Sequence, residues 1–214
     1  TRKRSSAASD VYKRQPGNDG LTVLAYKKLW REIKGPLVAS LLEGLEKGEL
    51  SDSQRQSVIR LIRKTDKDHA LIKNWRPISL MNVDVKILAK AITERLRPTL
   101  TDILSPEQIA FLPGREMCEN NRLIDYIIDF THHSGREGYV VAYDFEKAFD
   151  SISHEYLLKT LEWYGYPPGL CNMIKALYKG AKSTVLNNGA TTGYFELGRG
   201  VRQGDPLSPY LFLI

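Results

Sequence analysis

The sequence predicts an α+β fold, rich in helix with a small antiparallel sheet. Three observations carry this. Apolar residues recur at helical spacing in several segments, each bounded by a capping or breaking residue; only two stretches have the pattern of strand; and the composition is that of a globular domain. The 214 residues hold 31 Lys and Arg against 25 Asp and Glu, with 42% hydrophobic residues. That is enough to bury a core and unlike a collagen, a disordered tail or a disulfide scaffold.

Each helix has its own punctuation. Gly35-Pro36 opens a pattern with Leu37, Val38, Leu41, Leu42 and Leu45 on one face, closed by Gly48. Asn82 can cap a helix whose stripe runs Val85, Leu88, Ala89, Ile92, Leu96 and which Pro98 ends. Asn120 starts another, with Leu123, Ile124, Ile127 and Ile128. Ser153 caps a helix carrying Leu157, Leu158, Leu161 and Tyr164, stopped at Gly165. Pro167-Pro168 turns the chain into Leu170, Met173, Ile174, Leu177 and Tyr178, which ends at Gly180. Of the strand stretches, Tyr139-Val140-Val141-Ala142-Tyr143 is a continuous apolar run, the sign of a strand buried on both faces. Ser183–Leu186 and Thr192–Leu197 flank Asn187-Asn188-Gly189, a hairpin signal.

Other classes fall away on the residues present. Cys118 and Cys171 are far apart with no C-x-x-C, and His69, His132, His133 and His154 form no ligand pattern. No apolar run approaches about 18 residues, and the start lacks an apolar signal region, so a soluble intracellular protein of nucleus or cytoplasm is expected, with no membrane partner. The leader Thr1–Gln15 carries Arg2, Lys3, Arg4, Lys13 and Arg14 against Asp10, most of the net charge of +6. It reads as disordered, either a translated cloning or adaptor scar or a basic nucleic-acid arm. The other end is apolar through Tyr210–Ile214 with no cap, so the chain is expected to be a fragment whose last residues lie uncovered.

Two places can carry chemistry. A carboxylate at the end of a buried strand, as at Asp144, is costly unless it is paired or binds a cation. The plainer alternative is an acidic loop, Asp144–Asp150, with Lys147 as counter-ion. A Walker-B role lacks its G-x-x-x-x-G-K-[ST] partner: Gly180-Ala181-Lys182-Ser183 has neither the spacing nor the Gly-Lys pair. Further on, Gly198–Gly204 is Gly-rich and basic at Arg199 and Arg202, and Asp205-Pro206 should cap and begin a helix. A phosphate could bind there, though a plain hairpin-to-helix turn would read the same way.

Together the segments are more specific. Asp144-x-x-x-x-Phe149-Asp150 followed by Arg199-Gly200-x-x-Gln203-Gly204-x-x-x-Ser208-Pro209 resembles motifs A and B of reverse transcriptases. Lys73-Asn74-Trp75-Arg76-Pro77-Ile78-Ser79-Leu80 resembles the family's fingers motif, and Gln108-x-x-Phe111-x-x-Gly114-Arg115 its next block. Pro16-Gly17-Asn18-Asp19-Gly20-Leu21 resembles the N-terminal block of the non-LTR, LINE-type retrotransposon enzymes. The ordered blocks span Pro16 to Ile214.

The resemblance implies an incomplete right-hand polymerase, fingers plus part of the palm. It divides the chain into an N-terminal block and fingers (16–138), a palm strand with motif A (139–150), a fingers return with the hairpin (151–200) and the start of a palm helix with motif B (201–214). It implies RNA-directed DNA synthesis on an RNA template, with a DNA primer and dNTP as substrates. Two Mg²⁺ ions would be held by Asp144 and the backbone carbonyl of Phe145. Lys64, Arg76, Phe149, Gln203 and Gly204 would meet the nucleotide; Arg115, Arg199, Arg202, Ser208 and Pro209 would meet template and primer. Arg55–Lys90 concentrates nine Lys and Arg against three Asp, which suits phosphates or, more plainly, a solvated face. The family's x-Asp-Asp motif is absent, so this polypeptide alone is expected to polymerise nothing. A group II intron-type reverse transcriptase and a decayed, non-catalytic nucleic-acid-binding remnant are the alternatives.

Overall fold

Ser57 and Ser183 share a hydroxyl–hydroxyl hydrogen bond of 2.6 Å across 126 residues of sequence, joining the two halves of the fold at one sheet. The computed structural model describes residues 15–214, so the reading of the leader lies outside the described residues except at Gln15. The helices are α1 (Val23–Lys28), α2 (Trp30–Glu46), α3 (Asp52–Arg55), α4 (Val83–Leu96), α5 (Leu100–Ile103), α6 (Met117–His133), α7 (Ala148–Ser151), α8 (His154–Trp163), α9 (Pro168–Tyr178) and α10 (Ser208–Leu213). The strands are β1 (Gln56–Arg63), β2 (Trp75–Met81), β3 (Lys182–Asn187), β4 (Ala190–Thr191) and β5 (Phe195–Glu196). The α+β class holds.

The sheet is mixed rather than antiparallel. Its order is β2-β1-β3-β4, with β5 also on β3. β1 and β2 pair antiparallel from Ser57–Met81 to Arg63–Trp75, whereas β1 and β3 run parallel. A parallel pair needs a long crossover, and the segment between β1 and β3 supplies it. At the far end, Asn188 and Gly189 both take positive φ (49° and 81°), and Asn187 pairs with Ala190. This is the two-residue turn whose twist matches a hairpin.

The helix stripes form the core. Val85, Leu88, Ala89, Ile92 and Leu96 of α4 are buried, as are Leu157 and Leu161 of α8 and Ile174 and Leu177 of α9. At about 1.5–3 kcal/mol per buried large side chain, α4 alone outweighs any of the surface ion pairs, worth roughly 0–1 kcal/mol each. Boundaries shift where packing outvotes punctuation. α2 begins at Trp30 and carries Pro36 inside it, with Leu37 and Leu41 buried but Val38 and Leu42 exposed. α6 begins at Met117, not Asn120, and α10 at Ser208, not Pro206.

Two expectations fail outright. Tyr139–Tyr143 forms no strand: Tyr139 is 91% and Tyr143 90% exposed. A strand needs a partner edge, and among the described residues none lies beside it. Conversely, Leu211 is buried and Leu213 and Ile214 pack against the core, so the end of the chain is covered. A run of uncovered apolar side chains lies instead on α6, where Leu123, Ile124, Ile127, Ile128 and Phe130 are all exposed.

Candidate active site

The Gly-rich segment docks on the end of the Asp144–Asp150 block. Val201 N–H donates to the Phe149 carbonyl and Gly200 N–H to that of Ile152, both at 2.7 Å. Gly200 sits at φ +87°, and a Cβ there would meet the Asp150 Cα at 3.0 Å, so the approach requires glycine. The same loop reaches β2, where Ser79 N–H donates to the Gln203 carbonyl at 2.8 Å. Three blocks far apart in sequence thus meet through main-chain bonds around Gln203. The Gln203 side-chain amide donates to Asp150 Oδ2 at 3.4 Å, and partial burial pushes the Asp150 carboxyl up, countered by Gln203 and Lys147.

Phe149 stacks on Phe212 of α10, with ring centroids 5.1 Å apart, and packs against the core. Asp144 and Phe145 are exposed, on the stretch that precedes α7. Lys64 and Arg76 lie at the end of the β1–β2 hairpin that the 64–74 connection closes. Arg76 pairs with Ile62, and Lys64 N–H extends the ladder to the Asn74 carbonyl at 2.9 Å, so the two cations share one face of the ribbon. Arg76 is exposed, and the Lys64 ammonium donates to the Lys73 carbonyl at 3.0 Å.

Of the residues expected on template and primer, Arg199 is exposed and Pro209 half-buried. The others are engaged inside the fold. Arg115 spends Nη1 on the carbonyls of Ser105 and Gln108, both at 2.6 Å, holding the loop after α5. Ser208 is buried and donates to Asp205 Oδ2 at 3.3 Å. Arg202 is 5% exposed, so its guanidinium faces the interior rather than a strand of nucleic acid. Asp205 does cap the turn, accepting from Leu207 N–H at 3.1 Å, and burial raises its carboxyl; the helix proper starts one residue beyond Leu207 because Asp205 closes an Asx turn first.

Other contributors carried no reading as site residues. A cleft of about 1160 Å³ opens between α1, the start of α2, α4 and the segment 204–210 that leads into α10, lined by Tyr26, Trp30, Phe111 and Tyr210 with Lys27, Lys86 and Lys90. Burial lowers the Lys86 ammonium, with Asp19 and Asp205 opposing. Asn82, fully buried, is the clasp that builds this wall. Its Oδ1 accepts from Asp19 N–H at 3.3 Å and its Nδ2 donates to the Ser53 carbonyl at 3.0 Å. Gly17 lies so close that a Cβ would fall 2.0 Å from Asn82 Oδ1. The sequence signal for Asn82 was there, but it read as a helix cap; the side chain makes no cap bond and ties three segments instead.

Residues 62–214 match the family model described as reverse transcriptase (RNA-dependent DNA polymerase). The chain belongs to the reverse transcriptase family. It is 39% identical over 201 residues to the transposon TX1 uncharacterized 149 kDa protein of Xenopus laevis, covering 94% of this chain and 15% of that protein. It is 33% identical over 198 residues to the Pol polyprotein from retrotransposable element R2DM of Drosophila melanogaster, covering 92% of this chain and 18% of that one. A Popillia japonica R2 Pol polyprotein is 31% identical over 198 residues, 92% of this chain and 27% of the relative. The chain therefore spans a minor part of these relatives, which are transposon and retrotransposable-element proteins of the non-LTR, LINE-type group.

Reverse transcriptases generally use divalent metal ions. Among the described residues, no three His, Cys, Asp or Glu side chains gather where they could share an ion. Asp144 offers one carboxylate, and the described residues do not compose a two-metal site. No helix among them is long and apolar enough to cross a membrane.

Proposed function

We propose that this chain is the nucleotide- and template-gripping part of an RNA-directed DNA polymerase from a LINE-type retrotransposon. In the whole protein it would serve nucleotidyl transfer from dNTP to a primer 3′-hydroxyl, with 16–138 and 151–200 acting as fingers and 139–150 with 201–214 as palm. The observation that carries the reading is the junction at Gln203, where the 199–205 loop hydrogen-bonds both to the Phe149 block and to Ser79 of β2. A polymerase needs its nucleotide-facing segments held in fixed relation, because positioning and charge neutralisation supply most of phosphoryl-transfer catalysis.

Within this reading, Lys64 and Arg76 neutralise the triphosphate, Gln203 and Gly204 face the nucleotide, and Phe149 lies under its sugar. Arg199 and Pro209 border the template. The aromatic cleft suits an RNA strand: Trp30, Phe111 and Tyr210 offer stacking faces between Lys27, Lys86 and Lys90, the combination that binds single strands without reading sequence. Asp144, with the Phe145 carbonyl, would contribute to holding Mg²⁺, the remaining ligands coming from outside the described residues. The test is RNA-templated, Mg²⁺-dependent primer extension by the full-length protein. Extension lost in Asp144→Asn and retained in wild type supports the reading; RNA binding with no extension by wild type favours a non-catalytic remnant.

A further inference from the structure

Arg202 is a basic residue beside the nucleotide-facing Gln203, yet its side chain turns away from every surface. Its Nε and Nη2 have no hydrogen-bond partner, and its Cζ lies 5.9 Å above the Tyr178 ring. Tyr178, at the end of α9, is 6% exposed. Its hydroxyl makes no hydrogen bond of acceptable geometry, the neighbouring Ser208 hydroxyl being turned to Asp205. The Tyr178 ring is also packed by His154, centroids 4.8 Å apart, and His154 Nε2 lies 2.8 Å from the Gly200 carbonyl oxygen. Asp205 N–H donates to the Arg202 carbonyl at 3.2 Å, and the buried Asp205 carboxyl supplies the local counter-charge.

A buried guanidinium with unspent donors is expensive. Two features offset the cost: the electron-rich ring face, which attracts a desolvated cation, and the nearby carboxylate. In some proteins such groups are retained because they select one arrangement over others. Here the arrangement is that of the 199–205 loop, docked by main-chain bonds on the Phe149 block and on Ser79. Val201 and Arg202 anchor it inward, and Gln203 and Gly204 are left facing outward.

We propose that Arg202 and Tyr178 are a positioning pair: the guanidinium seated on the ring fixes the 199–205 loop, and with it the placement of Gln203 and Gly204. This rests on the polymerase reading for its consequence in catalysis, but not for the loop order itself. It assigns Arg202 no contact with template or primer. It also makes the Tyr178 ring, not its hydroxyl, the working part.

The experiment uses the full-length protein with Arg202→Met, Arg202→Lys, Tyr178→Leu and Tyr178→Phe. Hydrogen exchange without substrate reads the Gly200 and Val201 amides, whose bonds to Ile152 and Phe149 pin the loop. Arg202→Met and Tyr178→Leu should exchange there at least about tenfold faster with the α4 amides unchanged, whereas Tyr178→Phe should match wild type. Arg202→Lys should not restore protection, because an ammonium lacks the planar fit. In primer extension, kcat/KM for dNTP should fall on the order of tenfold to a hundredfold in Arg202→Met, mostly through KM, and be kept in Tyr178→Phe. The salt slope of RNA binding should not change. Unaltered exchange in Arg202→Met overturns the pair. A salt slope reduced by about one overturns it as well, since that marks a lost phosphate contact. If wild type fails to extend a primer, the polymerase reading fails while the exchange data still decide the pair.

Discussion

Phe149 and Phe212 stack at 5.1 Å with their planes 30° apart, tying the end of the Asp144 block to α10. The contact leaves Phe149 two possible duties. As a core residue, Phe149→Val would cost roughly 1–4 kcal/mol of stability and harm both sugars alike. As the ring beneath the nucleotide's sugar, the same change would admit a 2′-hydroxyl. In primer extension by the full-length protein we expect the deoxy-to-ribo ratio of kcat/KM to fall at least about tenfold, or ~1.4 kcal/mol. Phe212→Leu gives the control: stability should drop with the ratio unchanged. An unchanged ratio in Phe149→Val would remove the gate.

The two carboxylates of the block should behave differently. Asp144 is exposed and has no hydrogen-bond partner among the described residues, whereas Asp150 accepts from Gln203. Asp144→Asn should abolish Mg²⁺-dependent extension by the full-length protein and leave RNA affinity nearly intact. Asp150→Asn should be milder. The 214-residue chain alone should extend no primer, and any extension by it would contradict the single-carboxylate reading of its metal site.

Gly17→Ala tests the clasp. Its Cβ would lie 2.0 Å from Asn82 Oδ1 and 2.6 Å from the Met81 carbonyl carbon, neither of which is a free side-chain end. Denaturant unfolding should show a loss of about 1–3 kcal/mol, the usual cost of overpacking. A loss within experimental error would mean the 16–20 block is not held as described.

A pH dependence follows from Asp84 at the start of α4. Burial raises its carboxyl, against the Val85 N–H bond at 2.7 Å; the Tyr26 hydroxyl is pushed up to about 12 by its own burial first and then by the Asp84 and Asp19 charges. A carboxyl raised by folding contributes stability that is complete below its unfolded pKa and lost as pH rises through the folded one. Asp84→Asn keeps an acceptor for Val85 and removes that titration. Relative to wild type, its stability should therefore improve as pH rises from the ordinary carboxylate range upward, with the gap closing in acid. Equal curves at all pH values would dispose of the buried-charge account.

The uncovered face of α6 predicts a surface behaviour. Ile124 and Ile127 are exposed on a helix whose Leu123, Ile128 and Phe130 are exposed as well. The double change Ile124→Asp with Ile127→Asp should sharply reduce binding of a hydrophobic dye and leave the melting temperature within about one or two degrees. A large fall in melting temperature would show that these side chains are packed.

The stripes of α4, α8 and α9 and the Asn188-Gly189 turn were legible because each is settled within its own segment. β1 was not. Val58-Ile59 and Leu61-Ile62 come in adjacent pairs, which satisfy neither strand alternation nor a clear helical face, and Arg60 and Arg63 mask the strand. The run Tyr139–Tyr143 errs the other way: apolarity announces a need for burial without saying which edge meets it. At the site, Lys64 and Arg76 came from the family resemblance alone, and the register of β1 on β2 puts them on one face. The seat of Arg202 could not be read, since only the fold reveals that an arginine in a basic loop is seated on Tyr178. Asn82 likewise looked like a cap until the three segments it ties came together.

The bond between Ser57 and Ser183 also dictates an order of events during synthesis. β1 and β2 can pair as soon as both leave the ribosome, but β1's other edge has no partner until β3 arrives, 126 residues after Ser57. At roughly 5–20 residues per second, that edge stays open for about 6–25 s on every nascent chain. During that interval Val58-Ile59 and Leu61-Ile62 are available to any strand that passes. A synonymous codon change that slows translation between 81 and 182 would lengthen the exposure without altering one atom of the finished protein.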